Sequence, residues 1–342
     1  MSCLNFLDRA LSFKRFLVRF REAGWFYNVW SVSSIEFPIT ENFAGACPEC
    51  RFVIPPLSEV SGTYFEHGYV KCSRCGLAVD LWKATLEKVT RLAAFASSLA
   101  ALGARVTHLR FRLLANETVE LDLTRHGISE GATVLAVIYT PQGGNCFPQE
   151  THANMPYRRF RGTKVYLHGL QMRTAEGIPI EDEFSGDNIS ALVLWAPIDD
   201  SSAPWLYLVD AMEALTLGRA SQAIVPANAA AEISITPAVR SFLLRYAARE
   251  NVERLLKQEL GFSSILNVVL PLVCALVDAK PLPEEIRGSL NALRRLRNEF
   301  VHEGVLPNDI DPQQVRQMVC AAAFGFEYGK YLQHFLSVAP RK

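Results

Sequence analysis

Four cysteines limit what this chain can fold into more than any other feature. They stand as CPEC at 47–50 and CSRC at 72–75, a Cys-x2-Cys-x21-Cys-x2-Cys spacing in which each tight turn offers two thiols. Two such turns brought together present Cys47, Cys50, Cys72 and Cys75 as four soft ligands at the corners of a tetrahedron, the arrangement that holds Zn2+. A full set of four thiolates leaves no coordination position for a substrate, so the expected zinc is structural. His67 lies between the pairs and is the alternative ligand. The remaining cysteines, at 3, 146, 274 and 320, are scattered. Cys274 and Cys320 sit among apolar residues, which fits packing in a reducing compartment and places the protein in the cytoplasm.

Between the two turns, RFVIPPLSEVSGTYFEHGYVK carries β-prone residues around a central Ser-Gly, the content of a hairpin. The segment resembles a zinc ribbon. Its role is open at this level between a structural staple and the recognition of nucleic acid or a partner protein.

At 342 residues the chain is long enough for two or three domains. Its patterning predicts a multidomain α+β protein. Residues 1–42 hold an amphipathic helix, with Arg9, Lys14, Arg15 and Arg19 interleaved with phenylalanine and leucine, and a short lead-in. The helix is expected to pack on its own protein, with attachment to a membrane surface as the other reading; it lacks the continuous apolar stretch and cleavage site of a signal peptide. The zinc ribbon spans 43–80, and a connector helix spans 81–103, ended by Gly103. Over 104–198 the period changes to that of strands: VTHLRFRLL, TVELDLT, ATVLAVIYT, TKVYLHGL and SALVLWAPI, separated by turn residues, predict a small β domain. Between its third and fourth strands, QGGNCFPQETHANMPYRRFRG reads as a long basic loop, either solvated or touching nucleic acid through Arg158, Arg159 and Arg161.

From 200 to 342 the chain is helical, with helices expected near 204–216, 219–235, 238–260, 263–277, 283–303 and 312–337. Pro237 and Pro283 suit first-turn positions, Gly304 suits a C-terminal cap, and Asp311-Pro312-Gln313-Gln314 combines an N-cap, a first-position proline and a capping glutamine. The longest apolar run, Ile265 to Val277, contains Asn267 and Pro271 and falls short of the ~18–20 residues a bilayer span needs, so no membrane span is expected. Lysine plus arginine equals aspartate plus glutamate at 35 each, so bulk charge argues for no polyanionic partner, and any such case rests on a local patch.

The helix over 283–303 ends in RLRNEFVHEG, which gathers Arg297, Asn298 and His302. Asn298 and His302 are four residues apart and share a face, whereas Arg297 stands about 140° around the axis from His302. An arginine and an imidazole so placed meet over a groove shared with a second copy of the helix more readily than on one helix. Their chemistry suits cleavage of RNA. Histidine exchanges protons near neutral pH with the ribose 2′-hydroxyl or the leaving 5′-oxygen, and arginine's planar fork stabilises charge building on the phosphate. No metal is required by that scheme. A solvated basic face that happens to end in a histidine is the plainer reading.

The segment resembles the HEPN family (higher eukaryotes and prokaryotes nucleotide-binding), whose motif is arginine, a polar residue, a short variable run and histidine; RNEFVH matches it at the shortest spacing. The resemblance extends over about 200–337, including the alanine-rich AIVPANAAAEISI and a long closing helix. It implies a C-terminal all-α HEPN-like bundle that forms a homodimer. It also implies a metal-independent endoribonuclease of the toxin or abortive-infection antiviral kind, with Arg297 and His302 as the catalytic pair and Asn298 supporting them. RNA is then the partner, with an antitoxin or other regulatory protein as a further one. Glu232 is an acidic position of such bundles, carried over as an ion-pair partner. Some members bind without cleaving, so a non-catalytic RNA- or protein-binding module is the alternative.

Overall fold

The computed structural model describes residues 47–50, 52, 54–89, 104–142, 146–150, 163–171, 186–197, 203–216, 218–303 and 310–338. The N-terminal segment 1–42, the end of the connector with Gly103, the basic loop with Arg158–Arg161, and Gly304 lie outside them. The described part is a mixed α and β structure: four cysteines gathered on the N-terminal side, a β unit, and a helical C-terminal region.

The cysteine unit departs from a ribbon. Helix α1 (Leu57–His67) fills the interval expected to form a hairpin, and only the short pair β1 (Val70–Lys71) and β2 (Ala78–Val79) remains of it, flanking the second cysteine turn. Tyr64 and Phe65 are buried two turns on from the buried Leu57, so one face of a helix satisfies all three where alternate strand faces would separate them. Gly62 sits inside this helix with open space around it, and Gly68 ends it in the left-handed conformation at φ 80°, its N–H donating to Tyr64 O.

Helix α2 (Leu81–Val89) follows at once. Asp80 caps it: Oδ1 accepts from the backbone N–H of Trp82 at 3.0 Å and from the Tyr64 hydroxyl at 3.1 Å, so one carboxylate starts α2 and fastens it to α1.

Six strands form two antiparallel three-stranded sheets. β3 (Arg105–Leu114), β8 (Gly186–Ala196) and β5 (Thr133–Pro141) make one, in the order β3-β8-β5. β4 (Thr118–Asp122), β7 (Lys164–Gln171) and β6 (Cys146–Glu150) make the other, in the order β4-β7-β6. Leu109, Val193 and Trp195 from the first sheet bury against Leu121, Val165 and Leu167 from the second, the interdigitated core of a small sandwich. The corner between β3 and β4 needs a glycine opposite it. A Cβ on Gly169 would lie 2.1 Å from Leu114 O, while Asn116 N–H donates to Gly169 O and Gly169 N–H donates to Glu117 O. Strand β6 lies in the stretch expected to be a loop.

The helical region runs α3 (Ala203–Thr216), α4 (Ala220–Leu243), α5 (Arg249–Glu259), α6 (Phe262–Val277), α7 (Glu284–Glu303) and α8 (Pro312–Val338). α4 and α8 pack along one another at its centre, with α3 on α4 and α7 against both. Alanines 223, 227, 230, 231 and 238 on α4 and 321–323 on α8 are buried, and these small side chains let the two backbones approach. Closest approach falls at Gly329, where an added Cβ would meet Ser234 O at 2.5 Å. Pro237 does not open a helix as expected; α4 runs through both Pro226 and Pro237 to Leu243. Ala238, Val239 and Phe242 beyond it are buried in continuation of the same face, and that packing outweighs the missing hydrogen bond. Asp311 caps α8 as expected, its Oδ1 accepting from Gln313 N–H at 2.9 Å.

One hydrophobic core joins the cysteine unit to the helices. Phe324 on α8 meets Tyr64 and Trp82 edge to face at 5.6 and 5.2 Å, and Tyr328 meets Phe65 at 5.0 Å. Trp82, Tyr328 and Phe324 are among the largest fully buried side chains.

Candidate functional site

The four cysteine sulfurs all lie within 4.8 Å of one another. Cys47 Sγ is 3.5 Å from Cys75 Sγ and Cys50 Sγ is 3.5 Å from Cys72 Sγ, so the two turns face each other rather than stand side by side. A tetrahedral zinc with bonds of about 2.3 Å needs sulfurs about 3.8 Å apart, and the cluster matches that spacing. Disulfides would need about 2 Å. Each turn is built by the backbone: Cys47 N–H donates to Phe52 O, Cys72 N–H to Leu77 O, and Gly76 N–H to Cys72 O, with Gly76 at φ 77°.

The electrostatics of the cluster are compatible with a bound cation. Backbone donation from Cys75, joined by Arg74, outweighs burial and holds the Cys72 thiol down to about 6. Cys75 accepts from the Leu77 backbone, which pulls the other way, yet desolvation and the neighbouring sulfurs of Cys50 and Cys47 push it up to about 12. Four thiols this close do not ionise together without positive charge among them, which is what a divalent metal supplies. His67 stands outside the cluster at the end of α1, exposed, with Nε2 3.9 Å from Glu66.

The second candidate site lies at the C-terminal end of α7. Ile286, Leu290 and Leu293 form the buried stripe that docks the helix, and Leu296 continues it half-buried. Beyond that stripe the helix presents Arg297 and Asn298, both half-buried, and then His302, which is exposed. Arg297 Nη1 donates to Asn298 Oδ1 at 3.1 Å. That bond fixes the guanidinium beside the polar residue of the motif. His302 makes no hydrogen bond with either among the described residues, so one chain brings together two of the three predicted residues. Arg295 is exposed, while Arg294 has a buried Nε with no hydrogen-bond partner. Among the described residues Glu232 makes no ion pair; it accepts from Asn228 Nδ2 at 3.2 Å, one turn back on its own helix.

Sequence reasoning missed the connection between the two sites. Trp82 Nε1, just after the cysteine unit, donates to Glu285 Oε2 in the first turn of α7 at 3.1 Å. A tryptophan in an otherwise ordinary amphipathic stretch was the signal, since a buried indole N–H demands an acceptor.

No known family model matches the chain, and no curated protein or solved structure matches it either. Among the described residues no single helix is long and apolar enough to cross a membrane; the pair Arg249–Glu259 and Phe262–Val277 passes only together, across a 110° bend.

Proposed function

We propose that this chain is a cytoplasmic, metal-independent endoribonuclease of the HEPN type, acting as a toxin or antiviral effector, with a structural Zn2+ held by Cys47, Cys50, Cys72 and Cys75. The observation that carries the reading is the Arg297 to Asn298 hydrogen bond at the end of α7, one turn before an unencumbered, exposed His302. Exposure is what a site shared between two chains requires, because each imidazole must reach a phosphate that a second α7 helps to hold.

In this reading the ribose 2′-oxygen attacks the adjacent phosphorus. The new O2′–P bond forms as the P–O5′ bond breaks, giving a 2′,3′-cyclic phosphate and a 5′-hydroxyl. His302 carries the proton between the attacking and leaving oxygens, one imidazole as base and its partner as acid. Arg297 spreads its fork over the equatorial oxygens, and Asn298 keeps that fork aimed. The zinc takes no part in bond making; it supplies cross-linking of the cysteine turns, and through Phe324 and Tyr328 their core supports the helices.

A non-catalytic binding module is the competing reading, favoured by the lack of a hydrogen bond or ion pair to His302 among the described residues. Expression in cells separates the two: growth arrest relieved by Arg297→Ala supports the nuclease, and harmless expression of both forms with RNA binding retained supports the module.

A further inference from the structure

We infer that the outward face of the β3-β8-β5 sheet is a second RNA-contacting surface, which grips the sugar-phosphate backbone through Arg110 and Arg112. The inference rests on the nuclease reading only for the choice of RNA as the polyanion; the surface itself is built from what the sheet displays.

Along β3 alternate residues point away from the sandwich core, and these are Val106, His108, Arg110, Arg112 and Leu114; Val106 packs against the core shared with the helices, which leaves His108, Arg110 and Arg112 exposed. Two contacts fix that orientation. His108 Nε2 lies 2.6 Å from Ser190 Oγ on β8, and Arg112 Nε lies 3.1 Å from where a Cβ on Gly186 would stand, so the arginine arm crosses β8 over a glycine. Arg110 is paired in register with Ser190 itself. The same face adds Asn188 and Leu192 from β8 and Ile138 and Thr140 from β5. None of these positions is acidic. Asp187, the carboxylate on β8, pairs with Leu113 and is buried on the other side.

Arg110 and Arg112 are both exposed, and neither makes an ion pair or hydrogen bond with the described residues. The opposite sheet shows the contrast: there the exposed Lys164 is bound to Glu120 at 2.9 Å, and Tyr166 donates to the same carboxylate at 2.6 Å. In a chain of zero formal net charge, a face that among the described residues carries no carboxylate and two guanidinium forks without a partner is a local positive field.

The rest of the face selects among anionic partners. An anionic membrane would need exposed apolar anchors, and none of the exposed large hydrophobic residues lies on these three strands. A folded acidic protein would bury an apolar centre; Leu192 and Ile138 are only half exposed here, and the polyglutamate arm of the test separates that partner. It offers no aromatic platform on which bases could stack. What remains are forks spaced two residues apart along one strand, with the exposed Thr140 hydroxyl and Asn188 amide beside them, groups that hold phosphates and riboses without reading sequence.

The test measures binding of a short fluorescent 2′-O-methylated single-stranded RNA, which 2′-hydroxyl attack cannot cut, across a salt series. The full-length chain is compared with Arg110→Gln/Arg112→Gln, Arg110→Lys/Arg112→Lys and, on the opposite sheet, Lys164→Gln. The glutamine double variant is expected to weaken binding about tenfold, equally for different sequences, and to flatten the log–log salt slope by about 1.4, at ~0.7 for each phosphate no longer neutralised. The lysine variant should keep the slope, and Lys164→Gln should keep both slope and affinity. A glutamine variant that melts like the wild type and binds like it overturns the surface. So does wild-type protein that binds no RNA, or that prefers a polyglutamate peptide. In a parallel assay with the unmodified RNA, substrate held through the arginines but never cut keeps the surface and removes the nuclease reading, whereas substrate cut normally by the glutamine variant with unchanged binding does the reverse.

Discussion

Trp82 and Glu285 are 203 residues apart in sequence and joined by a 3.1 Å hydrogen bond. The indole belongs to the helix that leaves the cysteine unit, and the carboxylate opens the helix that ends in Arg297, Asn298 and His302. Two sites that look independent in sequence are therefore fastened to one another by a buried ring and to α8 by its edge-to-face contact with Phe324.

Replacing Trp82 should expose that dependence. Trp82→Ala removes a fully buried side chain and is expected to cost about 3–5 kcal/mol of stability in urea titrations. Trp82→Phe retains most of the ring packing and loses the bond to Glu285, for a cost nearer 0.5–1.5 kcal/mol from the hydrogen bond, plus what the smaller ring leaves unfilled.

Metal removal should reach beyond the cysteine turns. Elemental analysis is expected to find about one zinc per chain, and Cys47→Ser or Cys72→Ser to abolish it. Because the turns share a core with α8, chelation should lower the melting temperature of the helical signal itself. A metal-free protein with an unaltered melt would separate the two units.

Two glycines in helices should respond in opposite directions. Gly329→Ala drives a methyl into the Ser234 carbonyl, where the contact would be 2.5 Å, and should destabilise by about 1–3 kcal/mol as α4 and α8 are forced apart. Gly288→Ala on α7 meets nothing within 4 Å and should stabilise by about 0.5–1 kcal/mol through helix propensity. Thermal melts of both variants check the packing at the helix crossing.

The motif residues should matter for rate and little for folding. His302 is exposed, so His302→Ala is expected to shift stability by no more than about 0.5 kcal/mol. RNA cleavage by the same variant should fall by about 100-fold or more. Arg297→Lys keeps the charge and loses the fork held by Asn298, and its rate should fall between those of wild type and Arg297→Ala.

Legibility in the sequence followed locality. The cysteine spacing is a local pattern that fixes its own geometry, and Cys47, Cys50, Cys72 and Cys75 converge as it predicts. Five of the six strands of the sandwich announce themselves by alternation. Cys146–Glu150 does not, because Pro148 within it reads as a break; on β6, the edge of its sheet, a proline is tolerated. Ser61-Gly62 read as a turn, although Leu57, Tyr64 and Phe65 already carried helical spacing, and burial against α8 decided for the helix. Pro237 misled for a similar reason: whether a proline ends a helix depends on what its flanks bury, and those partners lie on other helices. At the motif, Arg297 and Asn298 are neighbours whose contact is local. The partner proposed for His302 lies on a second chain, on which one sequence is silent.

The most direct test is a map of RNA ends produced by purified wild-type protein and by His302→Ala, in buffer without added divalent metal so that the bound zinc stays in place. The account predicts 5′-hydroxyl and 2′,3′-cyclic phosphate ends from the wild type and none above background from the variant. Equal cleavage by both proteins, or intact RNA with a correctly folded wild-type dimer, would contradict it.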